Sequence, residues 1–327
     1  MSAKDVGKAM EKELGKPLSL EGLNTYSIKD RKTLADVEQF AAPLPPPKGF
    51  GEFMDSLPKT LAAESLKKVI KAIVEAHGKG RPVVMAMGAH VIKCGLSPLV
   101  IDLMERGIIN AVAMNSSVVI HDYEVSLLGN TSEDVKASLK DGSFGMVRET
   151  AEAVQEAASQ GAREGIGLGA ALGKKINKDG NEFADYSILA AAARLDIPAT
   201  VHVVIGADTV HMHPSISGSD LGESSHIDFR ILAGVVAKLE GGVWLNVGSA
   251  VVMPEVFLKC LSVARNLGNK VQDFVTVDMD MLKHYRPTVN VVQRPTSRGY
   301  SLTGHHEIML PLLRMGILSL LDQEETS

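Results

Sequence analysis

The stretch Pro82-Val83-Val84-Met85-Ala86-Met87-Gly88 decides how this chain is read. Its apolar run has no polar alternation, is too short for a buried helix and stops at glycine. That pattern suits a strand covered on both faces, as in the middle of a parallel sheet. Upstream, Leu61, Leu66, Val69, Ile70, Ile73 and Val74 recur at helical spacing until Gly78 and Gly80. Downstream the alternation repeats. A helix over Ser97 to Glu105 leads to a strand over Ile108 to Met114 and a polar turn at Asn115-Ser116-Ser117. Helices are expected over Ser132 to Leu139 and Met146 to Gln160. After a polar stretch from Lys174 to Glu182, a helix over Asp185 to Leu195 precedes a strand over Ile197 to Ile205. Two more pairs follow, Asp228 to Leu239 with Gly242 to Val247, and Pro254 to Asn266 with Val271 to Val277. A last helix covers His305 to Leu321. Helix and strand alternating at these lengths specify an α/β fold, a Rossmann-like, doubly wound, mostly parallel sheet with helices on both faces.

Composition narrows the class. The chain has 327 residues, 45% hydrophobic and 22% charged, with a net charge of −5. That is ordinary for a folded protein and argues against general nucleic-acid binding, which needs a basic face. The two cysteines, Cys94 and Cys260, have no metal-ligand or redox spacing, consistent with a reducing compartment. No apolar segment approaches the ~20 residues that span a bilayer, and the first residues carry no secretory pattern. A cytoplasmic protein is expected. Residues 1–48 read as an arm ending in the proline run Ala42-Pro43-Leu44-Pro45-Pro46-Pro47, and residues 49–327 as one domain.

Ligands of such sheets bind at the carboxyl ends of the strands, near the point where strand order reverses. The polar residues there are Gly88 and His90, Asn115, Ser116 and Ser117, Gly248 and Ser249, and Asp278. Small and hydroxyl-bearing turns let phosphates approach backbone N–H groups, so these are candidate cofactor-binding residues. Asp208, His211 and His213 form the richest polar cluster. If extended, the segment would turn both histidines to one side, with Asp208 orienting one of them as an acid or base. The same pair could serve a metal-dependent hydrolase, with His305-His306-Glu307 as the companion cluster. Lys283, Tyr285 and Arg294 would form a clamp for an anionic substrate. Gly165-Ile166-Gly167-Leu168-Gly169 follows a helix instead of a strand, so it is not read as a nucleotide fingerprint. Lys93 reads as a solvated lysine.

The motifs taken in order resemble the deoxyhypusine synthase family. Gly88 to Gly95 is similar to its first nucleotide turn, and Met114-Asn115-Ser116-Ser117 with His121-Asp122 to its next. Ser187 to Ala193 with Ile197-Pro198, Gly242 to Val252, and His305 to Leu313 with Leu310-Pro311-Leu312-Leu313 extend the resemblance over roughly residues 57–320. The resemblance implies a Rossmann-like fold, NAD as cofactor, a homotetramer with NAD near subunit interfaces, His305 or else His306 at the nucleotide, and His121 and Asp122 at the substrate.

The departures bear on the reaction. The family passes a butylamine unit through an imine on an enzyme lysine, and only an amine can form that bond. The corresponding stretch here, Val289-Asn290-Val291-Val292-Gln293-Arg294, has no lysine, and arginine stays protonated. Met253-Pro254-Glu255 stands where the family has lysine-histidine-histidine, and Ile120-His121 where it has paired acids. The expectation is an NAD-dependent enzyme of this type acting on a small molecule, an anion in preference to an amine, and not deoxyhypusine synthesis. A non-catalytic nucleotide-binding or regulatory protein is the alternative from another class.

Overall fold

A computed structural model describes residues 48–325 continuously and residues 4–5, 16–32, 34, 36–41 and 43 before them. The chain divides into two units, Met1–Phe40 and Ala41–Ser327. In the first, the described residues hold two short 3-10 turns, Ile28–Asp30 and Val37–Gln39, with no buried residue. Apart from Pro43, the proline run lies outside the described residues.

The second unit opens with α1 (Phe50–Ser56) and α2 (Leu61–Gly78). Then come β1 (Val83–Met87), the single turn α3 (His90–Lys93), α4 (Ser97–Glu105) and β2 (Ala111–Asn115). Helices α5 (Ser116–Leu128), α6 (Val135–Ser138), α7 (Arg148–Glu164), α8 (Gly167–Asp179) and α9 (Ile188–Arg194) precede β3 (Ala199–His202). The chain continues through α10 (Gly218–Val236), β4 (Val243–Val247), α11 (Val252–Asn266) and β5 (Val275–Asp280). It ends with the turn α12 (Tyr285–Pro287), a π-helical segment (Thr288–Gln293), β6 (Gly299–Thr303) and α13 (His306–Glu325).

The six strands form one parallel sheet in the order β3-β2-β1-β4-β5-β6. Order reverses between β1 and β4, which is where a doubly wound sheet opens a crevice. Every residue of β1, β4 and β5 is buried, as the unbroken apolar run at Val83 to Met87 requires. Alternate residues feed two cores. Val83, Met85 and Met87 face one, packed by Val69 and Ile73 of α2 and Leu310 and Leu313 of α13. Val84, Ala86 and Trp244 face the other, packed by α10 and α11. There Trp244 stacks on Phe257 with ring centroids 4.1 Å apart, and Phe274 meets Phe257 edge-on.

Several elements depart from the sequence reading. The expected turn at Asn115-Ser116-Ser117 is no loop, since β2 passes straight into α5 with Asn115 as its N-cap. The side chain of Asn115 accepts the Val118 N–H, and a cap of this kind looks like turn chemistry in sequence. The helix expected over Ser132 to Leu139 is only the turn Val135–Ser138. Polar Lys174 to Asp179 ends α8, and α10 starts at Gly218, ten residues before the expected Asp228, with Ser217 capping it. Both helices carry polar outer faces that hide their period. Strand β6 was not expected, because Gly299 to Thr303 is half-covered and lacks an apolar run. The Gly165 to Gly169 segment is a helix-to-helix corner, where a Cβ on Gly169 would lie 2.1 Å from the Ala199 carbonyl oxygen.

Candidate functional site

Two regions at the carboxyl edge of the sheet gather the polar side chains. The first is the reversal of strand order. Gly88 follows β1 and donates its N–H to the Val247 carbonyl at 2.9 Å, while Gly248 follows β4 and donates to Met279 at 2.9 Å. Sheet pairing therefore continues one residue past the strand ends. A Cβ on Gly88 would fall 2.0 Å from the Gly248 carbonyl oxygen, so this contact alone demands glycine. Gly248 has φ +68 and turns its bare face to the His306 imidazole.

His306 begins α13 and is 1% exposed, yet neither ring nitrogen has a hydrogen-bond partner. Its Nε2 lies 4.0 Å from Asp280 Oδ1, and Asp280 Oδ2 lies 4.0 Å from His284 Nε2. The His90 ring is 6.2 Å away, centroid to centroid. Burial pulls the His306 pKa down, the Asp280 carboxylate opposes, and His90 adds to the lowering. Beneath this cluster, Asp278 accepts from Asn246 Nδ2 at 2.8 Å, and that amide also donates to the Ser249 carbonyl. Burial raises the Asp278 carboxyl to about 6. Asp278 and Ser249 are both buried parts of this framework.

The second region is a cavity of about 710 Å³ beyond the ends of β2 and β3. Its floor is α5, which presents Ser117, His121 and Glu124, and α3 contributes Lys93. The chain between α5 and α7 forms one wall, with Thr131, Glu133 and Gly145, and Ala207 to Val210 forms the other. Four carboxylates line it, Glu124, Glu133, Glu149 and Asp208, against the one lysine. Glu149 is engaged by Arg148 at 2.7 Å, and Glu133 accepts the Gly145 N–H at 2.8 Å. Asp208 Oδ2 accepts from Ser116 Oγ at 2.7 Å and from the Val204 N–H at 2.8 Å. Burial, then the nearby Lys93 charge, then His90, hold the His121 pKa down to about 4, so its ring is neutral near pH 7.

Of the residues singled out from sequence, Ser117, His121 and Asp208 share this cavity. Asn115 and Ser116 sit at its edge as helix cap and as partner of Asp208. Gly88, His90, Gly248, Ser249 and Asp278 belong to the strand reversal instead. Others are placed where they cannot act as expected. Asp122 is fully buried and caps α9, accepting from Ser187 Oγ, the Ile188 N–H and the Leu189 N–H at 2.6, 2.8 and 3.2 Å. Its burial lifts its pKa to about 6. His211 and His213 do not share a face, because Thr209–Met212 is a 3-10 turn, whose three-residue period separates positions two apart. His211 Nδ1 accepts the Gly206 N–H, leaving an enclosed Nε2 4.0 Å from Asp208, and His213 pairs with Ser215. His305 is exposed beside Glu307. Lys283 and Tyr285 are exposed, and exposed Arg294 donates to Asn290, so the three do not converge as an anion clamp. Among the described residues, no three His, Cys, Asp or Glu side chains are placed to hold a metal ion, so the histidine pair has no companion ligands.

Sequence reading missed Glu124, Thr131 and Glu133, and set Lys93 aside as a solvated lysine. Only the pair His121 and Glu124, three residues apart, carried a signal, since that spacing puts both on one helix face. Thr131 and Glu133 lie on a connection whose path no local pattern encodes.

No family model and no curated protein sequence matches the chain. Solved structures do. A conserved putative LOR/SDH protein from Methanococcus maripaludis S2 is 17% identical with a TM-score of 0.50, covering 80% of this chain and 71% of that one. AgrE, in a ternary complex with ornithine and NAD+, is 13% identical with a TM-score of 0.52, covering 82% of this chain. ArgZ, an arginine dihydrolase from the ornithine-ammonia cycle in cyanobacteria, is 14% identical with a TM-score of 0.50 over 78% of this chain. This chain spans about a third of the AgrE and ArgZ chains, 35% and 33%. What is shared at these identities is the fold. Among the described residues, no helix is long and apolar enough to cross a membrane.

Proposed function

We propose that this protein is an NAD-dependent enzyme acting on a small, amine-bearing substrate held in the cavity beside β2 and β3. The observation that carries the reading is the short α3 turn, which links the two regions: His90 stands at the strand reversal and Lys93 in the cavity. A dinucleotide at the reversal would thus lie next to a chamber large enough for a small molecule.

The residues at the reversal fit a dinucleotide in two respects. His306 offers two unpartnered nitrogens at the start of a long helix, where the helix dipole favours negative charge. His90 and Asp280 border the same place. A bound nicotinamide would supply the oxidant. The chain's own part is to enclose the substrate, orient it and move a proton.

The cavity changes the expected substrate. Four carboxylates against Lys93 favour a cation, and the anion clamp does not converge. An amine would sit among Glu133, Glu149 and Asp208, and Lys93 could pair with a carboxylate on the same molecule. An amino acid satisfies both ends. AgrE, which shares the fold, is described with ornithine and NAD+.

Calorimetric titration tests the cofactor. NAD is expected to bind the wild type, and His306→Ala to weaken it about 10-fold, the loss of one hydrogen bond to a charged group. No heat of binding at millimolar NAD would overturn the reading.

A further inference from the structure

Three side chains in the cavity form a connected line that the fold does not require. Glu124 Oε2 accepts from Thr131 Oγ1, and its Oε1 accepts from Thr150 Oγ1 at 3.2 Å. Thr131 Oγ1 in turn lies 2.7 Å from His121 Nδ1. A hydroxyl has one proton, and an ionised carboxylate can only accept. With that proton directed to Glu124, Thr131 must accept from His121, so Nδ1 carries the hydrogen. His121 is thereby fixed as the neutral Nδ1–H tautomer, with the Nε2 lone pair free. The ring is held at 13% side-chain exposure, and His121 lines the cavity.

We propose that His121 Nε2 is the proton acceptor of the cavity, oriented by Thr131 and Glu124, and that Lys93 is the seat of a substrate carboxylate whose arrival makes His121 a stronger base. The proposal rests on the reading of the cavity as a substrate chamber. In the step it describes, an N–H bond of the substrate ammonium breaks and its electron pair stays on nitrogen. A new N–H bond forms at Nε2. The resulting imidazolium shares its charge through Thr131 with Glu124, whose Oε2 is 3.8 Å from Nδ1.

Charge near the ring explains why Lys93 would act as a switch. The charged and titratable groups around His121 are Lys93 and His90 from α3, Glu124 from its own helix, Glu133 from the connection after it, Glu149 from α7 and Asp208 from the opposite wall. Among these, Lys93 and His90 oppose a positive imidazole. Among the described residues, no carboxylate lies within ion-pair distance of Lys93. A carboxylate placed on it would cancel that repulsion at the moment the amine arrives. The base would then be weak in the empty cavity and stronger with the correct molecule in place.

Site-resolved hydrogen exchange at the histidine C2 position, read by mass spectrometry across pH, tests this on the full-length protein. In the wild type His121 is expected to titrate below pH 5. Lys93→Met, and separately the wild type in saturating acetate, should raise that midpoint by about one unit, the effect of losing a like charge nearby. Acetate should not shift Lys93→Met further. Diethyl pyrocarbonate labelling at pH 6 reports the free lone pair. His121 should label faster than solvent-exposed His305, and Thr131→Val should slow it several-fold while Thr131→Ser restores it. Thermal unfolding of each variant separates misfolding from a lost contact. A His121 midpoint near 6.5, or labelling indifferent to both Thr131 variants, overturns the proposal. Because none of these measurements involves NAD, a failed NAD titration leaves them standing, and their failure leaves the cofactor reading intact.

Discussion

The strand reversal and the cavity lie on the same edge of one sheet, joined by α3, and they are built oppositely. At the reversal, Gly88 and Gly248 bring two backbones together, and the buried His306 imidazole packs against Gly248. At the cavity, β2 turns directly into α5, and the long excursions 129–147 and 203–217 stand apart as walls. Glycine closes the first because it has no side chain to exclude its neighbour. Long connections open the second because their backbone polar groups need water or side-chain partners, which keeps them at the surface. The lesson is that the glycines of the nucleotide-like turns make backbone contacts, whereas the open volume takes Lys93, Ser117 and His121 from such turns and the rest of its lining from connections with no recognisable motif.

The largest effect should come from forcing the Gly88 and Gly248 backbones apart. Gly88→Ala would drive a Cβ into the Gly248 carbonyl and is expected to cost about 3 kcal/mol in urea unfolding. His121 labelling should be unchanged, and if it falls, the two regions are coupled more tightly than α3 suggests.

The two regions should also answer pH in opposite directions. The Asp278 carboxyl is raised from 3.8 to about 6, so the folded state holds a proton the unfolded chain releases, and its stability contribution is lost as pH rises across that window. His121 is lowered from 6.5 to about 4, so the unfolded chain takes the proton first, and stability is lost as pH falls through the same range. Relative to the wild type, the deficit of Asp278→Asn should shrink between pH 4 and 6, and that of His121→Gln should grow. Parallel trends would show that the burial of one group is misassigned.

Ser116→Ala removes the 2.7 Å bond to Asp208 and should cost about 1 kcal/mol, with the loss appearing on the cavity side only. The smallest effects belong to the clamp that does not form. Lys283→Ala, Tyr285→Ala and Arg294→Ala should each stay within about 0.5 kcal/mol and leave NAD binding unaltered. A marked loss of NAD affinity in any of them would place the cofactor elsewhere.

Much of the fold was legible because its central strands are buried on both faces, and such strands tend to be apolar runs. Val83 to Met87 announces itself in that way, and Val243 to Val247 does so but for Asn246. Helix α4 was read to its boundaries for a related reason, since its apolar residues keep the helical period between a glycine and a polar end. Strand β6 was hidden because an edge strand is covered on one side only. Helix α8 was not expected and α10 was shortened in reading, because long polar stretches mask an amphipathic stripe.

The site was legible in part. Asp208 could be named because a titratable group just beyond a strand is chemically conspicuous, and His121 because its turn resembles that of the deoxyhypusine synthase family. Their roles could not, because Asp122, next in sequence to His121, points into the core as the cap of α9. A helical step of about 100° sends neighbouring residues to different surroundings. The sequence by itself determined a parallel α/β sheet and the place of its central strands, since burial and period are local properties of the chain; the ends of β3 and β5 were displaced by several residues. Only the tertiary structure decided that Gly88 meets Gly248 at the reversal and that Thr131 meets His121 across ten residues. Hydrogen bonds of that kind depend on where a long connection returns, and no local pattern records the path.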